Sequence, residues 1–318
     1  MLATITFTLS IALIASAARS LSLNVVASST EVTDIDNFHV NATLSNTGSE
    51  TLRLLRDPRS PLSTWATETF GVINSKGARA EFSGIKVRYD PQAVTKAGRP
   101  DSFVELNPGE SVTVKHDLAG VYNLTLTGTG TYTVDAANLF RVVEGNNTLT
   151  DIYADIITAK VKIQNWIGQA LSFKNAAATP VVSLLSDTEY SGCTANQQGE
   201  IAVPLNPHGD MLPRLRTYPG GWTYDCGTCT EPDAYAYVYP SRYGVVYLCS
   251  AFWSAPETGA ASKADTIIHE GTHFPPVIGT SDYAYGQSNC LALARSNPTN
   301  AVYNADNHAF FSVDTEIR

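Results

Sequence analysis

The stretch His269-Glu270-Gly271-Thr272-His273, followed by Gly279-Thr280-Ser281-Asp282-Tyr283-Ala284-Tyr285-Gly286, is the one around which this chain is organised. On a helix, residues four apart lie on one face, so His269 and His273 can hold one metal ion through their ring nitrogens. Glu270, one step round the helix, is placed to take a proton from a water at the open coordination position. Zinc in a hydrolase has three protein ligands and one exchangeable water, which leaves one ligand to find. Asp282 is the candidate, nine residues past His273 and beyond Pro275, Pro276 and Gly279, which end the helix and turn the chain back. Ser262 is placed to cap this helix, with Asp265 three residues on as a variant of the capping box. Ala264, Ile267 and Ile268 give the segment an apolar side to bury. The competing reading is a chance spacing of two histidines and a glutamate, because short motifs produce false positives.

HEGTH followed by GTSDYAYG also resembles the aspzincin metalloendopeptidases, whose third zinc ligand is an aspartate in a GTxxDxxYG motif. Residues 225–259 (DCGTCTEPDAYAYVYPSRYGVVYLCSAFWSAPETG) and 297–311 (NPTNAVYNADNHAFF) are similar to the peptidyl-Lys members in particular, and YSGCTANQQ from Tyr190 resembles the start of their mature chain. The likeness implies one Zn2+ per chain on His269, His273 and Asp282. It implies a catalytic pair of Glu270, as base, and Tyr285, as hydrogen-bond donor to the oxyanion; Tyr283 reads as core. In those relatives a lysine pocket carries an aspartate and a glutamate three residues apart. Asp306 matches the first, as a substrate-binding residue, but Ala309 stands at the second, which opens a broader specificity. His308 reads as structural. A long helical stretch is expected after Cys193, yet 32 residues separate it from Cys226, and Pro204, Pro207, Gly209, Pro213, Pro219, Gly220 and Gly221 make most of them poor helix formers. His208 and Asp210 read there as solvated loop residues.

All five cysteines lie at or after Cys193, which in an oxidising compartment suggests two disulfides and one leftover thiol. Spacing leaves the connectivity open. The resemblance implies Cys193–Cys226 and Cys229–Cys249, with Cys290 a buried apolar residue among Leu291, Leu293 and Ala294.

The 318 residues open with an apolar run over residues 5–17 and an A-x-A site at Ala15-Ser16-Ala17, a secretory signal too short to span a membrane. The net charge is −9 without a basic cluster, which argues against nucleic acid or an anionic membrane as partner. From Thr188 onward there are 6 Lys/Arg against 13 Asp/Glu. That excess would attract cationic substrates, or simply aid solubility. Residues 20 to about 140 read as short alternating strands between turn signals, among them 21–27, 38–44, 51–55, 84–89, 111–115 and 130–135, as in an immunoglobulin-like β-sandwich. Asn41, Asn123 and Asn146 sit in N-x-S/T sequons of this half. No cysteine is present there to ligate the metal, so a latent form must cover the cleft or use a carboxylate or histidine, His39 and His116 being its only histidines.

The expected architecture is α+β: signal peptide 1–18, a β-sandwich over 19–174 that the resemblance implies is a propeptide, linker with the processing site 175–187, and a mainly helical zincin-like catalytic domain 188–318 with a small β-ribbon from residues 235–239 and 245–249. That ribbon is a candidate edge for an added substrate strand. Residues 287–295 and 298–310 read as two further helices. The expected function is a secreted, monomeric zinc endopeptidase made as a proenzyme, acting on protein or peptide substrates and restrained by its own propeptide. The alternatives are a catalytically impaired relative and a secreted binding glycoprotein.

Overall fold

The computed structural model describes residues 18–164, 188–202 and 221–314. The signal segment up to residue 17, the whole of the 175–187 linker, and the interval 203–220 with His208 and Asp210 lie outside the described residues.

The first half is built by period-two alternation. In Leu21–Ala27, Leu21, Leu23 and Val25 are buried while the residues between them face outward; His39–Asn46 repeats the pattern with Val40, Ala42 and Leu44. The two strands run antiparallel with Leu23 opposite Leu44, and Ser111–Asp117 adds to the far side with His116 opposite Val40. A second four-stranded sheet centres on Gly130–Ala136 and Ala159–Ile163, and a third on Leu139–Val143 and Leu52–Leu55. All three sheets contribute to one apolar core containing Leu23, Phe38, Leu54, Val72, Tyr132 and Phe140.

Lys86–Tyr89 departs from this plan. The sequence predicts it as one more strand of the sandwich, but it pairs with none of those sheets. Its four residues are all buried, the mark of a strand covered on both faces. It lies antiparallel to Ala234–Val238 of the second half, with Val87 opposite Tyr237 and Lys86 opposite Val238. The first-half sheets alone offer one apolar face per strand, and this run needs two.

The second half contains more sheet than the ribbon expected. Glu189–Ser191, Thr223–Asp225 and Val245–Leu248 run parallel to one another, Ala234–Val238 is antiparallel to the last, and Lys86–Tyr89 completes five strands. Tyr237 and Tyr247 stack across the ribbon at 4.6 Å between ring centroids. Both disulfides form as the resemblance implied, Cys193–Cys226 and Cys229–Cys249, and Cys290 is buried and free.

Across this sheet lies the helix Lys263–Thr272. Ser262 caps it, its Oγ accepting from the Asp265 amide at 3.0 Å. Ile267 packs with Tyr224, Ala236, Val246, Leu248 and Phe274; a side chain of this kind contributes about 1.5–3 kcal/mol when fully buried. One helix was expected over 298–310, but the chain forms Pro298–Val302 and Ala305–Asp314 with a break between them. The cause is Asn304. Its Oδ1 accepts from the Tyr283 and Ala284 amides and its Nδ2 donates to the Ala284 carbonyl, at 2.9, 3.0 and 3.1 Å. These bonds pin the loop that carries Asp282. Tyr283, expected in the core, is instead 46% exposed on that loop.

Candidate active site

The turn of helix from His269 to His273 and the loop after it converge on one point. His269 Nε2 and His273 Nε2 are 3.2 Å apart, and Asp282 Oδ1 lies 3.2 and 3.4 Å from them. Asp282 Oδ1 forms no properly directed hydrogen bond with either ring, although it is buried. Three atoms of the kind that ligate metals thus crowd on one point, as they do around a cation. A tetrahedral ion with ligands about 2.0–2.1 Å away sets its ligand atoms about 3.3–3.4 Å apart, which is the span found here. Among the described residues, these three are the group able to hold a metal ion.

The ring orientations are fixed from behind. His269 Nδ1 meets Asp306 Oδ1 at 2.7 Å, and His273 Nδ1 lies 3.1 Å from the Thr280 carbonyl oxygen, leaving both Nε2 atoms facing Asp282 Oδ1. Asp306, expected as a pocket residue, thus touches a proposed ligand as well. His308 stands apart, bonded to the Val302 carbonyl. His39 and His116 are also remote: His39 faces Asp117, and His116 bonds the Pro61 carbonyl inside the sandwich.

Electrostatics match a site prepared for positive charge. Burial opposes ionisation of Asp282, but His273 and His269 hold its carboxyl well below the usual range. Burial also disfavours a charged His269, yet the adjacent carboxylates of Asp282 and Asp306 push it up to about 10; His273 is lowered by burial. Burial pushes Glu270 up to about 8, with His269 pulling the other way. Glu270 Oε2 has no hydrogen-bond partner. Burial, reinforced by Asp282, raises Tyr285 well above an ordinary phenol, so its hydroxyl stays a donor.

The site is covered. His269, Glu270 and Tyr285 are 0% exposed, and the cover is Lys86–Tyr89. Tyr285 Oη donates to the Val87 carbonyl at 2.8 Å, the Arg88 amide donates to Glu270 Oε1 at 2.7 Å, and the Val87 amide donates to Asp282 Oδ2 at 3.2 Å. The Arg88 guanidinium is buried between two carboxylates, Nη2 at 2.5 Å from Asp265 Oδ2 and Nη1 at 2.9 Å from Asp306 Oδ1. Arg88, His269 and the Gly286 amide keep Asp306 ionised against its burial.

Two residues here escaped the sequence reading. Asp265 does not complete a capping box; its carboxylate turns to Arg88. The available signal was its position four residues before His269, on the same helix face. Arg88 carries no local signal at all.

Residues 213–313 match the family described as lysine-specific metallo-endopeptidase. The chain is 37% identical over 342 residues to a peptidyl-Lys metalloendopeptidase of Grifola frondosa, with 95% of each covered. It is 39% identical over 336 residues to one from Armillaria mellea, covering 93% of this chain and 92% of that relative. An extracellular protease of Aeromonas hydrophila is 28% identical over 324 residues, 88% of this chain and 89% of the relative. With more than a third of its residues shared along nearly its whole length, this chain belongs to the aspzincin family of zinc-dependent metalloendopeptidases.

Proposed function

We propose that the chain is a secreted zinc endopeptidase made as a proenzyme. In this reading residues 1–18 are the signal, 19–174 an immunoglobulin-like β-sandwich propeptide bearing glycans at Asn41, Asn123 and Asn146, 175–187 the processing segment, and 188–318 a monomeric catalytic domain. The observation that carries it is the triangle of His269 Nε2, His273 Nε2 and Asp282 Oδ1, with edges of 3.2–3.4 Å, beside a buried glutamate and tyrosine.

His269, His273 and Asp282 would hold one zinc ion. When bound, the ion supplies a Lewis acid that activates a water and polarises the carbonyl to be attacked. Glu270 takes a proton at its unpartnered Oε2 and returns it to the leaving nitrogen, the kind of atom its Oε1 already faces in the Arg88 amide. Tyr285 donates to the oxygen of the attacked carbonyl, as it now does to Val87. Asp306 turns His269 and favours a basic side chain after the cut. A substrate adds as a strand along Ala234–Val238.

Zinc content and casein cleavage of the processed chain, wild type against Glu270→Gln, test this. Both proteins should hold about one zinc, and the variant should lose cleavage by roughly 10²–10⁴-fold. A processed wild type that binds zinc and hydrolyses nothing contradicts the reading.

A further inference from the structure

The cover over the site is a peptide in a particular pose. The Val87–Arg88 peptide unit presents its carbonyl oxygen to the Tyr285 hydroxyl and its amide to Glu270, the two groups to which the proposed mechanism gives the attacked carbonyl and the leaving nitrogen. The strand lies antiparallel along Ala234–Val238, on the side away from Val245–Leu248, where a substrate would add once Lys86–Tyr89 has left. The next side chain along, Arg88, is 1% exposed, and its guanidinium spans Asp265 and Asp306 with the rings of Tyr235 and Phe310 at 5.8 and 6.0 Å.

We infer that Lys86–Tyr89 occupies the cleft as a substrate would, with Val87–Arg88 in the place of the bond to be cut and Arg88 in a guanidinium pocket formed by Asp265 and Asp306. The inference rests on the proposed peptidase reading for the roles of Glu270 and Tyr285. It assigns Asp265 a task no motif gives it. Ala309 leaves the helix Ala305–Asp314 without a second pocket carboxylate, and Asp265 supplies one from the helix Lys263–Thr272 instead. Two carboxylates on separate helices reach two different nitrogens of a planar guanidinium, which a single ammonium would engage less completely. The first half is therefore a tethered competitor of substrate, and the pocket it fills accepts arginine.

Peptide binding to the full-length, zinc-loaded chain carrying Glu270→Gln tests this without hydrolysis. The probes are fluorescent hexapeptides differing only in an Arg, Lys or Leu at the position of Arg88, read by polarisation. The parent should exclude all three. Adding Arg88→Met breaks a buried ion pair and should tighten the Arg peptide by at least about tenfold over the parent, with Leu trailing. A further Asp265→Asn should remove the preference for Arg over Leu. Arg88→Lys, which keeps a cation between the carboxylates and so guards against a misfolded Met variant, should give binding between parent and Met variant. The inference fails if a Met variant with an intact cooperative melt still excludes the peptides or takes Leu as well as Arg. It fails equally if the Lys variant matches the parent. Because Glu270→Gln cannot hydrolyse, these outcomes stand apart from any failure of the zinc peptidase reading.

Discussion

Both halves of the molecule bury charge, and they do so to different ends. In the first half Asp57 sits between Arg59 and Arg141, at 3.1 and 3.0 Å, so the carboxylate and its countercharges come from the same fold. In the second half Asp265, Glu270, Asp282 and Asp306 gather around His269 and His273, with Glu270 Oε2 and Asp282 Oδ1 lacking partners. That surplus of negative charge is met from outside the half by Arg88. The first cluster neutralises its carboxylate from within its own half, although Arg59 also reaches the Tyr283 carbonyl at 3.1 Å; the second leaves polar atoms unpartnered, as clusters that serve chemistry do.

The contrast can be broken or sharpened by experiment. Asp57→Ala strands the buried Arg141 guanidinium and the partly buried Arg59 and should cost about 3–5 kcal/mol in chemical denaturation while leaving zinc content unchanged. Loss of zinc with stability intact would erase the distinction. Asn304→Ala removes the buried amide that holds the Asp282 loop and should cost about 2–3 kcal/mol, with zinc released more readily to a chelator.

Acidity separates the halves further. Without metal, His269 keeps its proton up to about 10, whereas Asp282, held well below its usual range, and His273, lowered, are already in ligand form. Zinc must displace that one proton, so its affinity should climb about tenfold per pH unit between roughly pH 6 and 8, and fall correspondingly on acidification. A competition titration with a chelating dye reads the slope, and a flat profile would mean that His269 is not a ligand. The smallest effect is expected on the sandwich surface. Thr43→Ala, which loses an exposed cross-strand contact to Thr113, should shift stability within about 0.5 kcal/mol and leave zinc binding untouched.

What could be read from the sequence follows the range of the interactions. The motif helix, its Ser262 cap and the convergence of His269, His273 and Asp282 were legible because each rests on spacing within a turn or a short loop. The alternation in Leu21–Ala27 and His39–Asn46 likewise announced their buried faces. The split at Asn304 was hidden, since its cause is a set of bonds to Tyr283 and Ala284 some twenty positions away. The partner of Lys86–Tyr89 was hidden more deeply. A buried strand shows that it needs two covered faces, but nothing local names the sheet that provides them. Asp265 was misassigned because a carboxylate three residues past a serine cap fits a familiar local pattern, and only Arg88, 177 positions away, reveals its other use.

Zinc stoichiometry after dialysis, wild type against Asp282→Ala, tests the central claim most directly. The account predicts about one zinc per wild-type chain and almost none in the variant, because two imidazoles without the carboxylate leave the site a ligand short. A variant that keeps a full equivalent of zinc would contradict it.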